Sequence, residues 1–212
     1  PPCPAGFAPA TLRHCPSTIA AIGHHSATAD GWTGHNEAFR PACEPPMPTD
    51  ANIQLRPATP ADIPLILDLI RGLAEYERLA HEAVATPGDV EAALFGPRPA
   101  AEVVIAECDG APAGFALFFI SFSTFLGKPG LYLEDLFVLP EFRGRGIGRR
   151  LMVHLAALAV ARGYGRFEWS VLDWNTPAIE FYRSLGARPM DEWTVQRLDG
   201  EALRALAASA TG

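Results

Sequence analysis

The chain has 212 residues, of which 49% are apolar and 19% charged, and its formal net charge is -7. This composition suits one globular domain with a sizeable core and excludes collagen, coiled coils and wholesale disorder. The negative charge disfavours nucleic acid as a partner, and no stretch approaches the ~20 apolar residues that a membrane span needs. Four cysteines without a CxxC pair indicate neither a disulfide framework nor a zinc site, so we expect a cytoplasmic protein.

The first fifty residues differ from the rest of the chain. Residues 1–50 contain nine prolines and four glycines and show no lasting helical or strand periodicity. We therefore expect a disordered or extraneous N-terminal tail there, followed by one domain over residues 51–212. The cysteines and histidines of this segment lack the tight, repeated spacing of metal ligands, so we expect no metal site.

Regular elements begin at Ile53 with a short alternating strand that Pro57 ends. A helix to about Glu77 follows, and it opens at the capping-box pair Thr59 and Asp62. Its apolar positions recur every three or four residues: Ile63, Ile66, Leu67, Ile70, Leu73 and Ala74. A second helix is predicted between Thr86-Pro87 and Gly96-Pro97.

The second half of the domain is predicted to alternate strands with helices. Apolar runs at 103–106 and 115–122 flank the turn signal Asp109-Gly110 and predict a hairpin. The further predicted elements are strand 131–138, a helix from 144–148 through Leu158, strand 167–172, a helix from Asn175 to Leu185, strand 193–198 and a short alanine-rich helix. The order β-α-α-β-β-β-α-β-α-β predicts an α/β fold.

The most informative segment is residues 138–149, in which a strand is followed by a glycine-spaced turn and an amphipathic helix. Glycines let successive backbone N–H groups converge, and a helix N-terminus adds unpaired donors and a positive dipole end. The segment therefore predicts a pyrophosphate site. It contains neither a dinucleotide-binding G-x-G-x-x-G nor a Gly-Lys-Ser/Thr phosphate loop.

The sequence RGRGIG at residues 143–148 resembles the acetyl-CoA pyrophosphate motif of the GNAT N-acetyltransferases. Three more segments are similar to the diamine acetyltransferases, the spermidine/spermine and thialysine branch: LAEYE at 73–77, YLEDLFV at 132–138 and WNTPAIEFY at 174–182. The resemblance implies a central twisted mixed β-sheet flanked by helices. It also implies direct transfer of an acetyl group from acetyl-CoA to a primary amine of a small diamine, polyamine or lysine-like substrate.

The resemblance also implies which residues contact acetyl-CoA, including backbone groups on the strand that precedes the glycine turn. These residues are Leu136, Phe137, Val138, Arg143, Gly144, Arg145, Gly146, Ile147, Gly148, Arg149, Asn175, Pro177 and Ala178. An N–H near Leu136 is expected to face the thioester oxygen.

Acetyl transfer to an amine requires a neutral nucleophile, a polarised carbonyl and a proton for the leaving thiolate. Glu134 and Asp135 are carboxylates within an otherwise apolar strand, where burial would raise a carboxyl pKa and make a competent base. The resemblance assigns the base and amine contact to Glu134 and the general acid to Tyr182. A phenol of pKa ~10 is protonated at neutral pH and can donate. The alternatives are that Glu134 pairs with an arginine and that Tyr182 packs in the core.

The resemblance further implies a substrate pocket and a homodimer. The expected substrate-binding residues are Tyr76, Glu77, Glu134, Glu168, Trp169 and Ser170. Two other functions stay open at this point. One is acetylation of another amine, such as an antibiotic or a protein N-terminus, and the other is a non-catalytic CoA-binding module.

Overall fold

A computed structural model describes residues 52–211 of the chain, so the tail predicted over residues 1–50 lies outside the described residues. The strands are β1 (Ile53–Pro57), β2 (Glu102–Cys108), β3 (Ala111–Ser123), β4 (Lys128–Val138) and β5 (Phe167–Trp169). The helices are α1 (Ile63–Tyr76), α2 (Pro87–Phe95), α3 (Ile147–Ala161), α4 (Thr176–Ser184) and α5 (Gly200–Ala208).

The five strands form one sheet in the order β1-β2-β3-β4-β5. From β1 to β4, each strand is antiparallel to the next, whereas β5 is parallel to β4. The predicted mixed sheet is therefore confirmed. The hairpin between β2 and β3 turns at Asp109 and Gly110, whose φ angles are 54° and 82°. Two positive φ angles are the signature of the tight turn that the Asp-Gly pair predicts.

The helices cover both faces of the sheet. On one face, α1 and α2 pack against β2, β3 and β4, and Ile66, Leu69, Ile105 and Phe115 are buried between them. On the other face, α3 packs against the same strands through Leu151 and Leu155, with α4 at the margin of this core. Side chains of alternate strand positions therefore enter two separate cores, as expected for a sheet between two helical layers.

The starts of α1 and α2 follow the predicted capping boxes. The Asp62 carboxylate accepts hydrogen bonds from the backbone N–H and the hydroxyl of Thr59, at 2.7 and 2.8 Å. Arg56 of β1 forms an ion pair with the same carboxylate at 2.8 Å and holds the pKa of Asp62 well below its usual range. At α2, the Thr86 hydroxyl accepts from the N–H of Asp89. Both helices therefore begin where the sequence places them.

The prediction of a strand over residues 193–198 was wrong. This segment has no strand structure, and the side chains of Trp193 and Val195 are 69% and 78% exposed. The predicted strand at 167–172 is also shorter, because β5 ends at Trp169. A strand persists only where a neighbour pairs its backbone, and the apolar pattern that predicted these strands carries no information about a neighbour.

The alanine-rich helix after this segment is present as α5, and none of its residues is buried. Among residues 52–211, no helix combines the length and apolarity that crossing a membrane requires.

Candidate active site

The site begins where β4 and β5 separate. They pair only through Leu131–Leu133 and Phe167–Trp169, after which β5 ends while β4 continues to Val138. The backbone of β4 beyond Leu133 is therefore paired with β3 on one side only. Its other side opens a cleft in the sheet that faces the start of α3 and α4. This geometry leaves backbone donors and acceptors available to a ligand.

A β-bulge at Glu134 changes which face of the sheet the end of β4 presents. Leu117 of β3 lies opposite Asp135 and Phe118 lies opposite Leu133, so Glu134 is the extra residue. Leu133 enters the core beneath α3, whereas Phe137, four residues later, enters the core beneath α1. In a regular strand these two positions would share a face, so the bulge reverses the alternation and turns the strand at the cleft.

The glycine-spaced turn forms the start of α3. Gly144 and Gly146 have φ angles of 75° and 80°, a region that glycine adopts without strain. No acidic residue lies in the first turn of α3, although a helix N-terminus usually favours one, and Arg149 occupies that turn. Backbone amides, a positive helix end and an arginine together suit an anionic group, so these residues fit the pyrophosphate of acetyl-CoA.

One cavity of about 630 Å³ joins the cleft to this turn. Its walls come from the end of α1, from β4 and β5, from the glycine turn and from α4. Eighteen of the residues that the sequence predicts for the site line it: Tyr76, Glu77, Glu134, Leu136, Phe137, Val138, Arg143, Gly144, Gly146, Ile147, Gly148, Arg149, Trp169, Ser170, Asn175, Pro177, Ala178 and Tyr182.

Two predicted residues do not line the cavity. The guanidinium of Arg145 lies over the ring of Phe142, with its carbon 5.3 Å from the ring centroid. Glu168 forms an ion pair with Arg166, with 2.7 Å between its Oε2 and the arginine Nε. The resemblance implied both residues along with neighbours that do line the cavity, but neighbours along a strand or a turn point in different directions.

Six lining residues were not among the predicted set: Leu73, Leu133, Phe142, Val171, Phe181 and Ser184. Two of them, Leu73 and Phe181, could have been found from the sequence. Leu73 lies one helical turn before Tyr76, and a residue at that spacing shares its helix face. Phe181 adjoins Tyr182 within the same motif. The others depend on how the chain folds between elements, which the sequence pattern does not report.

The end of the cavity next to α1 is acidic. Glu77 and Glu134 line it, and Asp135 lies close enough for both carboxylates to raise its pKa. Burial is the largest cause, and together these effects raise the pKa of Asp135 to about 6. Burial likewise raises the pKa of Glu77. The sequence did not show which of the two adjacent carboxylates is more buried: Glu134 is the exposed bulge residue, whereas Asp135 is partly buried.

Tyr182 lies on α4 with its ring between two other aromatic rings. The ring centroids of Trp169 and Phe181 are 5.0 and 5.3 Å away. Burial, with smaller contributions from Glu77 and Tyr76, raises the pKa of Tyr182 to about 12. The phenol therefore stays protonated at neutral pH and can donate a proton.

The buried Asn175 connects α4 to the end of α1. Its side-chain oxygen accepts the N–H of Ala178 at 3.3 Å, which caps α4, and it accepts the hydroxyl of Tyr76 at 3.1 Å. The predicted helix cap is therefore confirmed, and the same atom holds the wall of the cavity together. Within residues 52–211, no three histidine, cysteine, aspartate or glutamate side chains are grouped in a way that could hold a metal ion.

An open mixed sheet whose two parallel strands separate above a glycine turn and a helix N-terminus defines an α/β acetyltransferase fold. The sequence profile of the acetyltransferase (GNAT) family matches residues 70–187. The chain belongs to this family and is an N-acetyltransferase.

Two curated relatives are similar to this chain over most of their own length. L-ornithine N5-acetyltransferase NATA1 of Arabidopsis thaliana is 35% identical over 198 residues, covering 72% of this chain and 87% of its own length. Thialysine N-epsilon-acetyltransferase of Sus scrofa is 38% identical over 168 residues, covering 74% of this chain and 98% of its own. Among solved structures, an integron cassette protein of Vibrio cholerae is 28% identical with a TM-score of 0.63, covering 73% and 97% of the two chains.

Proposed function

We propose that this N-acetyltransferase moves an acetyl group from acetyl-CoA to a primary amine of a small diamine, polyamine or lysine-like substrate. The observation that carries the proposal is the single cavity with a glycine-turn anion site at one end and a carboxylate cluster at the other. A cationic amine and an anionic cofactor can thus meet within it. The relatives named for acetylating ornithine at N5 and thialysine at N-epsilon support this substrate class.

At the cofactor end, the backbone of residues 144–148 and the first turn of α3 would bind the pyrophosphate of acetyl-CoA, with Arg149 beside them. The open edge of β4 at Leu136 and Val138 would pair with the amides of the cofactor arm. When bound, acetyl-CoA supplies a thioester carbonyl, and a backbone N–H near Leu136 would stabilise the charge that develops on its oxygen.

At the amine end, Glu134 would contact the substrate ammonium and accept its proton, directly or through water, because it is an exposed carboxylate in the cavity wall. Asp135 and Glu77 would add negative charge behind it. The neutral nitrogen would then form a bond to the carbonyl carbon. As the carbon–sulfur bond breaks, the nitrogen would release its second proton to solvent and become the amide nitrogen. Tyr182 would give its proton to the departing sulfur, a role that its raised pKa suits.

We also propose that the protein forms a homodimer. Large apolar side chains of the C-terminal segment, Met190, Trp193, Val195 and Leu198, are exposed in the single chain. Exposed apolar side chains concentrated in one segment are typical of interaction surfaces. Light scattering of the full chain should therefore give the mass of two copies, and Trp193→Glu should shift it toward one. A monomer for the unchanged chain would refute the proposal.

The substrate is tested by CoA release from acetyl-CoA with spermidine, putrescine, lysine, thialysine, an aminoglycoside and a peptide. We expect release with short diamines or lysine analogues and little with the aminoglycoside or the peptide. Release with the aminoglycoside or the peptide alone would refute the substrate class. If no compound causes release while acetyl-CoA binding persists by calorimetry, the proposed substrate class is wrong and the alternative of a non-catalytic CoA-binding module is favoured.

A further inference from the structure

Arg143 makes contacts that its place in the glycine turn does not predict. Its guanidinium carbon lies 4.7 Å from the ring centroid of Tyr76 and 5.6 Å from that of Phe137. Its Nε donates a hydrogen bond to the backbone carbonyl of Val138 at 3.0 Å. Arg143 therefore connects the last residue of α1 to the end of β4, the strand that lines the cavity.

Tyr76 is held from other directions as well. Its hydroxyl donates to the side-chain oxygen of Asn175, and its ring centroid is 6.1 Å from that of Trp174. Arg78 lies over the ring of Trp174, with its guanidinium carbon 5.3 Å from the ring centroid. Arg143 is the contact that joins this group to the glycine turn. Cation–ring contacts of this kind contribute directional attraction between elements.

The position of Tyr76 determines where Glu77 lies. Glu77 follows Tyr76 directly, lines the acidic end of the cavity and caps α1 through its N–H. The chain then turns at Arg78, whose φ of 64° lies in the left-handed region that residues with side chains rarely adopt. Such a conformation persists when its surroundings hold it. The contacts that hold Tyr76, two residues earlier, belong to those surroundings.

Building on the proposed function, we propose that Arg143 is a positioning residue for the amine site, in addition to its place in the glycine turn. It fixes Tyr76 against β4, and through Tyr76 it fixes the Glu77 carboxylate at the acidic end of the cavity. This role goes beyond the cofactor contact that sequence resemblance implies for Arg143. Its expected consequence is a weaker affinity for the amine when the contact with Tyr76 is lost.

The test measures KM for the amine, kcat and the acetyl-CoA dissociation constant for Arg143→Met, Tyr76→Leu and the double variant. Arg143→Met should raise the amine KM, measured at saturating acetyl-CoA, roughly two- to fivefold, the size of one such contact. Tyr76→Leu should raise it at least as much. The double variant should be no worse than Tyr76→Leu, because Arg143 acts through that ring. Arg143→Lys, which keeps the charge, should recover part of the affinity.

Arg71→Met is the control, since it removes a guanidinium from an exposed position of α1 that pairs with Asp68 and contacts none of these rings. It should leave the amine KM within twofold. Additive effects of Arg143→Met and Tyr76→Leu on the amine KM would overturn the inference, as would an effect of Arg143→Met confined to acetyl-CoA affinity.

A stability cycle keeps this test separate from the proposed function. The shifts in Tm of Arg143→Met and Tyr76→Leu, measured without any substrate, should be smaller together than their sum. Additive shifts would overturn the inference whatever the activity. If the unchanged protein neither acetylates nor binds any amine while the shifts remain coupled, the proposed function fails and so does the amine-positioning role, although the contact itself is real.

Discussion

The two ends of the cavity offer a ligand different parts of the chain. At the anion end, where the glycine turn lies, the groups are backbone amides, made available by the φ angles of Gly144 and Gly146 and by the first turn of α3. At the cation end, which is the acidic end next to α1, they are the side-chain carboxylates of Glu77 and Glu134, with Asp135 close behind them. The first end depends on a local run of sequence, whereas the second depends on α1 approaching β4 across the fold.

This difference explains why one end is visible as a motif and the other is not. A backbone site needs particular φ angles, and glycine spacing within a few residues reports them. A carboxylate cluster needs side chains from two separate elements to converge, here Glu77 at the end of α1 and the adjacent Glu134 and Asp135 of β4. The approach is close here, because a Cβ on Gly72 of α1 would lie 2.9 Å from a ring carbon of Phe137 in β4. The two ends should therefore respond to different substitutions.

The largest effect is expected at Tyr182, which lines the same cavity. Burial raises the pKa of Tyr182, with smaller contributions from Glu77 and Tyr76 at the cation end. Tyr182→Phe keeps the ring contacts with Trp169 and Phe181 but removes the proton donor. We expect kcat to fall by roughly 10²- to 10³-fold, the usual range for loss of a general acid, with acetyl-CoA affinity nearly unchanged. Steady-state CoA release and calorimetry measure the two quantities.

Tyr164→Phe is the control for this substitution, because Tyr164 lies in the core beneath α3 and does not line the cavity. It should leave kcat unchanged. Turnover of Tyr182→Phe at the level of the unchanged protein would remove the acid role and leave Tyr182 as a packing residue.

The next effect is specific to the anion end. Gly144→Ala and Gly163→Ala form a matched pair, because their φ angles are 75° and 70° and an added Cβ meets nothing within 4 Å at either position. Both should therefore destabilise the fold by about 1–2 kcal/mol, the cost of left-handed backbone for a residue with a side chain. Only Gly144→Ala should also weaken acetyl-CoA binding, by roughly tenfold. Thermal unfolding and calorimetry give both quantities.

An equal loss of acetyl-CoA affinity in the two variants would mean that the loss reflects general destabilisation. The anion end would then not depend on the conformation of the glycine turn. Unchanged affinity in both variants would exclude Gly144 from the cofactor site.

The sequence predicted helix starts and turns more accurately than it predicted which segments pair as strands. The capping boxes, the Asp109-Gly110 turn, the glycine turn and the cap at Asn175 are local arrangements within a few residues, and each is present. The strand expected at 193–198 failed because a strand requires a partner that apolar alternation cannot specify.

The assignment within β4 could not be predicted for a related reason. Strand periodicity predicted that Glu134 and Asp135 lie within one apolar strand, but the bulge decides which of them is buried. A bulge follows from the register with β3, and register belongs to the pair of strands and not to one sequence. Similarly, Arg143 belongs to the glycine turn in sequence, yet it stacks on Tyr76, sixty-seven residues earlier in the chain.

A smaller effect should appear at the cation end as a dependence on pH. The pKa of Asp135 is raised to about 6, so this group is ionised above pH 6 and neutral below it. Lowering the pH from 7.5 to 5.5 removes most of one negative charge from the acidic end, while an amine of pKa ~10 stays protonated throughout. We therefore expect the affinity for a diamine to fall roughly fivefold over this interval. Calorimetry on the protein saturated with CoA measures binding without turnover.

Asp135→Asn should bind the diamine weakly at both pH values and lose most of this dependence, because its amide does not titrate in this range. Asp68→Asn is the control, since Asp68 is an exposed carboxylate of α1 that pairs with Arg71. Diamine affinity of Asp68→Asn should depend on pH as it does in the unchanged protein. A pH profile that survives in Asp135→Asn would assign the titration to another group.

The smallest effect separates sequence resemblance from geometry at Glu168. Resemblance implies that Glu168 binds substrate, whereas in the structure it pairs with Arg166 outside the cavity wall. Ion pairs at such partly exposed positions contribute at most about 1 kcal/mol, so Glu168→Gln should change stability little. The amine KM should change less than twofold, in contrast to Glu77→Gln, which removes a carboxylate that lines the cavity. A rise for Glu168→Gln equal to that for Glu77→Gln would extend the cation end along β5, because the carboxylate must then leave Arg166 when the amine binds.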